Sequence, residues 1–392
     1  MPSAVILVAA VSLASWIYLV FARGWFWRLR AFDNDQAEVV SLEQWPRVVA
    51  VVPARNEAEV IERTAASLVR QDYPGEFTIV LVDDHSEDGT AELARRAATR
   101  RSALERFAIH SAAPLPAEWT GKIWALNEGV ARAAKEAPEF YWFTDADVAH
   151  APDTLRRLVT RAEWGKLDLA SLMVLLQART FPERALIPAF LYFFLKLYPP
   201  RWITDANERT AGAAGGCILL RRTALERIGG LAAIRGEVID DCALAREVKN
   251  SGGRIWMGLT RASTSLRGFG SFGEIRDMIA RTAFTQLGYS AFVLFGTLGG
   301  MLLTYVAPIG VLFAHDSRAR ILGAVAWVLM SLTFLPTVRF YRLSPLWAPL
   351  LPLAAFFYSY ATWVSAKRYW QGRGGEWKGR AQAPRAAKRS SP

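Results

Sequence analysis

The chain has 392 residues, 52% of them hydrophobic, with 47 Lys and Arg against 36 Asp and Glu, a formal charge of +11. That length and apolar content exclude a disordered chain and allow at least one domain with its own core. The basic excess gathers in the tail and beside apolar runs, with no recognition motif beside it, which argues against a nucleic-acid partner and for anionic lipid headgroups.

In chain order, residues 4–20 carry no charge and are long enough for a bilayer core of roughly 30 Å. The run lacks a basic leader and a small-residue cleavage site, so it reads as an uncleaved anchor. Arg23, Arg28 and Arg30 follow it and put the next segment on the cytoplasmic side. "RVVAVVPAR" at 47–55 is a β-branched run, a buried parallel strand by composition. "EAEVIERTAASLVRQD" has helical spacing, "FTIVLVDD" is a second strand and "EDGTAELARRAATRR" a second helix. "FAIH" is a third strand, "KIWALNEGVARAAKEA" a third helix and "FYWFTDAD" another strand. The alternation predicts an α/β fold with a mostly parallel sheet, whose ligands bind beyond the carboxyl ends of the strands.

Beyond 150 the pattern is less regular. "LDLASLMVLLQA" and "CILLRR" read as strands, and "DDCALAREVKNSGG" as a helix. The aromatic stretch 182–202, flanked by Arg184, Lys196 and Arg201, suits a helix lying in the membrane interface. Residues 287–314, 321–338 and 345–366 are uncharged, and each is long enough, or nearly so, to span; the first contains "GTLGG" and reads as broken or re-entrant. The expected organisation is an anchor at 1–23 and a linker at 24–46. A polar domain at 47–285 follows, in halves 47–150 and 151–285, then a membrane bundle at 286–366 and a basic, disordered tail at 367–392. Three crossings after a cytoplasmic domain put that tail outside, against the positive-inside tendency. Cys217 and Cys242 suit a reducing compartment.

Five motifs carry candidate chemistry. In an extended chain Asp145 and Asp147 point the same way and make a hard oxygen site for Mg2+ or Mn2+; Asp147 or Asp153 reads equally as a cap on the next helix. Asp83 and Asp84 end a strand, suited to a base or ribose, while Ser86, Asp88 and Thr90 read as a turn and cap. Arg55, Asn56 and Glu57 enter a helix whose amides favour anions, though Asn56 also reads as a cap. Lys122 opens a helix, where a cation is disfavoured unless an anion is near. Asp240 and Asp241 open another helix, as cap or general base. His spacing, serine-hydrolase elbow and P-loop signals are absent.

Taken in order, "VPARNE", "VDDHSEDGT", "GKIWALNEG", "DAD" and "IDD" resemble family 2 glycosyltransferases of the GT-A fold over residues 45–285. The anchor, the C-terminal runs and "EWKGRA" resemble the hopene-associated branch, found beside hopanoid lipid genes. The resemblance implies a nucleotide-sugar, usually UDP-sugar, donor held by Pro53, Arg55, Asn56, Glu57, Asp83, Asp84, Lys122, Asn127, Asp145 and Arg281. It implies a metal on Asp147 with Asp145, and a base at Asp241 or its neighbour Asp240, where the family usually has Glu. Gly215 and Gly216 would let acceptor or sugar approach the backbone. Met278 and Thr282 stand where processive members carry Gln and Trp, which favours transfer of one sugar. The implied enzyme inverts the anomeric centre, uses a lipid acceptor and sits in the inner membrane facing the cytoplasm. The rivals are a polyprenyl-phosphate glycosyltransferase, a nucleotidyltransferase and a non-catalytic scaffold.

Overall fold

The computed structural model describes residues 3–29, 31–34, 42–373, 376–377 and 380–381. They fall into two compact units: one helical, built from the N-terminus, 177–202 and 268–374, and one α/β, built mainly from 30–176 and 203–267.

The chain enters through α1 (Ser3–Phe21) of the helical unit. The α/β unit then runs β1 (Val48–Ala54), α2 (Ile61–Val69), β2 (Phe77–Asp83), α3 (Thr90–Thr99), β3 (Phe107–Ser111) and α4 (Gly121–Ala133). β4 (Phe140–Thr144), β5 (Val148–His150), α5 (Thr154–Gly165) and β6 (Leu169–Leu175) follow. α6 (Phe181–Leu197) and α7 (Pro200–Thr204) precede β7 (Cys217–Arg221), α8 (Arg222–Arg227), α9 (Asp240–Asn250) and β8 (Ile255–Ser265). Last come α10 (Phe272–Gln286), α11 (Ala291–Met301), α12 (Ala307–Gly310), α13 (Ser317–Phe340) and α14 (Leu351–Trp370).

The eight strands form one sheet in the order β3-β2-β1-β4-β7-β6-β8-β5. β1, β2, β3 and β4 run parallel, as do β6 and β8, while β7 pairs antiparallel with β4 and β6, and β5 with β8. The strand order reverses beside β1, so the carboxyl ends of β1 and β4 border the crevice where such sheets take ligands. β1 is buried along its whole length, as its Val-rich sequence predicts. Pro53 is tolerated in this central strand because β4 pairs only with Val48 through Val51. α4 lies directly on β1 and β2 through Gly129, where a Cβ would come within 2.3 Å of Val51 Cγ1. That close approach fixes the start of α4, and Lys122 with it, over the carboxyl end of β1.

Strands β5 and β8 were not expected from the sequence. β5 is three residues long, and the mixed polarity of "IWMGLTRASTS" hides β8.

In the helical unit, three helices are long and apolar enough to cross a membrane: Ala4–Phe21, Ala291–Phe313 and Ser317–Phe340. The run at 345–366 is not among them; α14 carries Tyr358, Ser359, Tyr360, Thr362 and Ser365 and ends on Lys367 and Arg368. The irregularity expected in 287–314 is a π-turn at Leu302–Val306. α6 packs within its own unit: Tyr192 Oη bonds Thr333 Oγ1 (2.9 Å), and Tyr358 Oη donates to the Leu186 carbonyl (3.0 Å). α14 carries on to Trp370, past the expected start of the tail, and Glu376–Trp377 pairs with Arg380–Ala381; residues 382–392 lie outside the described residues.

Candidate active site

Three of the sequence-predicted motifs meet at the carboxyl ends of β1 and β4. Lys122 Nζ lies 2.9 Å from Asp145 Oδ1 and 3.3 Å from Asp240 Oδ2. The disfavoured cation at the start of α4 is thus compensated by two carboxylates of the protein. Burial alone would lower its pKa, but Asp145, Asp240 and Asp241 together hold it above the usual lysine value. Pro53, Lys122, Asp145, Gly215 and Asp240 line one small cleft.

Asp241 sits deeper. Its Oδ2 accepts the Gly215 N–H (2.8 Å) and its Oδ1 the Cys242 N–H (2.7 Å), which fixes the plane of the carboxylate. Burial, with the adjacent Asp240 charge, pushes its pKa up to about 6, against the opposing pull of Lys122 and the two amides. Gly215 is small for a local reason: a Cβ there would stand 3.1 Å from Lys122 Nζ and 3.4 Å from Asp241 Oδ2. Gly216 faces Val174, and its carbonyl accepts from Thr144 Oγ1 (3.1 Å).

The extended geometry expected for Asp145 and Asp147 is not what forms. The chain turns at 146–147, with Val148 N–H donating to the Asp145 carbonyl (3.3 Å). The two side chains therefore go to different partners, Asp145 to Lys122 and Asp147 to the field of Arg267. Asp153 does stand at the N-cap of α5 but makes no side-chain cap; Gln71 Oε1 takes the Leu155 N–H instead (2.9 Å). Behind β4, buried His150 bonds Thr144 Oγ1 through Nε2 (2.7 Å) and Ser263 Oγ through Nδ1 (2.8 Å). Since Thr144 donates to Gly216, Nε2 is the protonated nitrogen, and burial keeps the ring neutral, its pKa down at about 3.

The first two motifs are bolted to each other. Asn56 N–H donates to Ser86 Oγ (3.0 Å), Glu57 N–H to Thr90 Oγ1 (2.8 Å) and Ala58 N–H to Asp88 Oδ2 (2.9 Å), while Asn56 Oδ1 accepts from Glu87 N–H (3.0 Å). The turn expected at Ser86, Asp88 and Thr90 forms and Asn56 joins it, but the caps do not: the N-cap of α3 is Gly89 and that of α2 is Val60, neither with a side-chain cap. Arg55 bonds the Asp84 carbonyl and lies 3.6 Å from its buried carboxylate. Asp83, also buried, accepts weakly from Ser86 N–H (3.4 Å). Asn127 is half-buried on α4, and Arg281 is exposed on α10 of the helical unit.

Sequence reasoning missed Arg267. It follows β8, pairs with Glu57 through Nε (2.9 Å) and Nη2, and donates to the Asn56 carbonyl (3.2 Å). Its signal in the sequence was only an Arg just past a strand that had itself gone unrecognised.

A divalent ion binds by one or two carboxylates and completes its shell with substrate phosphates and water. Asp147 fits that donor set as a single carboxylate, since Lys122 holds Asp145. Among the described residues no three His, Cys, Asp or Glu side chains gather to hold an ion by themselves.

Residues 49–229 match the model of glycosyl transferase family 2. This segment is similar to glycosyl transferase family 2 domains. Its fold is GT-A: the mannosyltransferase PcManGT from Pyrobaculum calidifontis, solved with GDP-Man and Mn2+, superposes with a TM-score of 0.56 at 20% identity, over 91% of this chain and 99% of that one. An N-acetylglucosaminyltransferase of Rhizobium leguminosarum bv. viciae is 26% identical over 236 residues, 56% of this chain and 50% of its own. Glycosyltransferase AglE of Haloferax volcanii is 29% identical over 125 residues, 32% of this chain and 38% of its own. The chain thus spans half or less of the curated relatives it matches.

Proposed function

We propose that this chain is an inverting glycosyltransferase that moves one sugar from a nucleotide-sugar to a membrane lipid, a hopanoid being one such acceptor. One observation carries the reading. Asp145, Lys122, Asp240 and Asp241 converge at the switch point of a GT-A sheet, with Asp241 fixed by two backbone amides.

In the displacement, the acceptor oxygen bonds to the anomeric carbon while the bond from that carbon to the donor phosphate oxygen breaks. The electron pair leaves with the nucleoside diphosphate and the proton passes to Asp241. Among the described residues each Asp241 oxygen accepts one backbone N–H of the two bonds it can take, which leaves a lone pair for the acceptor proton. A base near 6 is ionised at neutral pH and still basic enough to take a proton as the hydroxyl acidifies during attack. Lys122 holds Asp145 and Asp240 apart and supplies positive charge toward the departing diphosphate. Asp147 would hold Mg2+ or Mn2+, with Asp145 orienting it, and the ion would neutralise diphosphate charge. Arg55 with Asp84, beside Asp83, would receive the base and ribose of the donor.

The three apolar helices support membrane association, and the arginines after the first support a cytoplasm-facing domain in the inner membrane. The donor base stays a matter for test, since the solved neighbour holds GDP-Man and the motif resemblance favours UDP.

The test is nucleoside-diphosphate release by the detergent-purified protein. It is offered UDP- and GDP-sugars with Mg2+, Mn2+ or EDTA, with and without membrane lipid extract. Metal-dependent, lipid-stimulated release that Asp241→Asn abolishes supports the reading. Release that survives Asp241→Asn points to a phosphate acceptor that needs no base. No release and no metal-dependent nucleotide binding by calorimetry would leave the scaffold reading.

A further inference from the structure

The helical unit holds a second lysine, Lys196, in an unusual setting. It stands in the last turn of α6, and its Nζ donates to Tyr305 Oη (3.0 Å). It lies 5.2 Å from the Phe193 ring centre and 4.9 Å from that of Tyr305. Arg23, just past α1, reaches the same helix end: its Nε donates to the Lys196 carbonyl (3.0 Å) and its Nη2 to that of Leu197 (3.4 Å). Among the described residues neither cation has a carboxylate partner. Burial and the Arg23 charge push the Lys196 ammonium down to about 8. Ser15, Tyr18 and Leu19 of α1, Leu197 of α6 and Thr304 of the π-turn complete a pocket around the two cations.

The bland explanation is that both cations serve the C-terminal end of α6. That end offers the equivalent of roughly −0.5 charge. Two positive charges exceed it, and among the described residues no carboxylate makes up the difference. The surroundings say what does. Arg23 packs over Trp202, and Arg28 over Trp25 and Trp27. A belt of Trp and Arg directly after an apolar helix is the mark of headgroup depth in a bilayer. The pocket therefore combines two cations with no carboxylate partner among the described residues, the Tyr18 hydroxyl, and apolar flanks from Leu19 and Leu197, at the level where lipid phosphates lie; the Ser15 hydroxyl donates to the Val11 carbonyl (2.9 Å).

We propose that the pocket between α1, the end of α6 and the π-turn binds the phosphate of an anionic phospholipid, with Lys196 and Arg23 as its two cationic contacts. The site is independent of the sugar-transfer reading and lies wholly within the helical unit.

The experiment uses the full chain, purified and delipidated in a neutral detergent. Thermal unfolding and native mass spectrometry are followed with added phosphatidylglycerol, phosphatidylcholine or inorganic phosphate. Phosphatidylglycerol is expected to bind and raise the unfolding temperature. Lys196→Met should weaken that binding about fivefold, as expected for one basic contact near an anionic headgroup. Lys196→Arg should keep it. Lys196→Met should leave the delipidated protein no less stable, because it removes an unmatched charge; a merely structural lysine would destabilise it there. The proposal is overturned if phosphatidylcholine binds as well as phosphatidylglycerol. It is equally overturned if Lys196→Met binds phosphatidylglycerol like the parent, or if inorganic phosphate at equal concentration protects as fully as the lipid.

Discussion

Two partly buried lysines set the two units of this protein apart. Lys122 in the α/β unit has Asp145 and Asp240 within 3.3 Å and is held above its usual pKa. Lys196 in the helical unit has Arg23 for a neighbour and is held below it. The same side chain at similar depth is thus a settled cation in one place and an unsatisfied one in the other. The difference lies in who supplies the counter-charge. The α/β unit carries its own, so its cation orders carboxylates for chemistry. Among the described residues of the helical unit no carboxylate takes that place, which is the ground for the proposed lipid phosphate.

The comparison breaks most sharply at Asp241. Asp241→Asn keeps the size and one acceptor for the backbone amides but cannot take a proton. Turnover should fall by about a thousandfold, within the range for losing a general base, with donor KM little changed; steady-state kinetics would show it, and if kcat is unchanged, Asp240→Asn would separate Asp240 as the base from a phosphate acceptor that needs none. Asp147→Asn should cost about a hundredfold and raise the metal concentration needed for half-maximal rate, which a Mn2+ titration would read.

Lys122→Met removes the cation that three carboxylates share. The variant should lose about 3 kcal/mol of stability by denaturant unfolding, the usual cost of breaking a buried pair. Without the Lys122 charge that pulls it down, Asp241 should also titrate higher, so the acid limb of the residual activity should move to higher pH. In the parent that limb follows from Asp241. The base acts only when ionised and its pKa is raised to about 6, so kcat/KM should be full above that pH and fall as pH drops through it. A limb near pH 4 would mean that Asp241 is not the group being titrated. The smallest effect should come from the latch: Asn56→Ala removes one side-chain acceptor and should cost about 1 kcal/mol with donor KM raised only modestly.

Much of this molecule was legible from sequence. The runs around β1, β2 and β4 are β-branched or aromatic and end abruptly in polar residues, and composition alone reads such strands well. The order of acids and Lys122 behind them was enough to suggest the donor site. The misses have separate causes. β5 is too short for any period, β8 is polar along half its length, and α14 looked like a span until its hydroxyls were placed inside a helix. Arg267 went unseen with β8.

The sequence by itself determined the alternation of strands and helices, the apolar helices and the positions of the carboxylates, because these follow from local periodicity and side-chain chemistry. Only the tertiary structure decided who meets whom. It turned the chain between Asp145 and Asp147 and sent them to different partners, used Gly129 to seat Lys122 against Asp145 and Asp240, and left Lys196 facing Arg23. Such pairings depend on contacts between residues tens to hundreds of positions apart, and no local pattern encodes them.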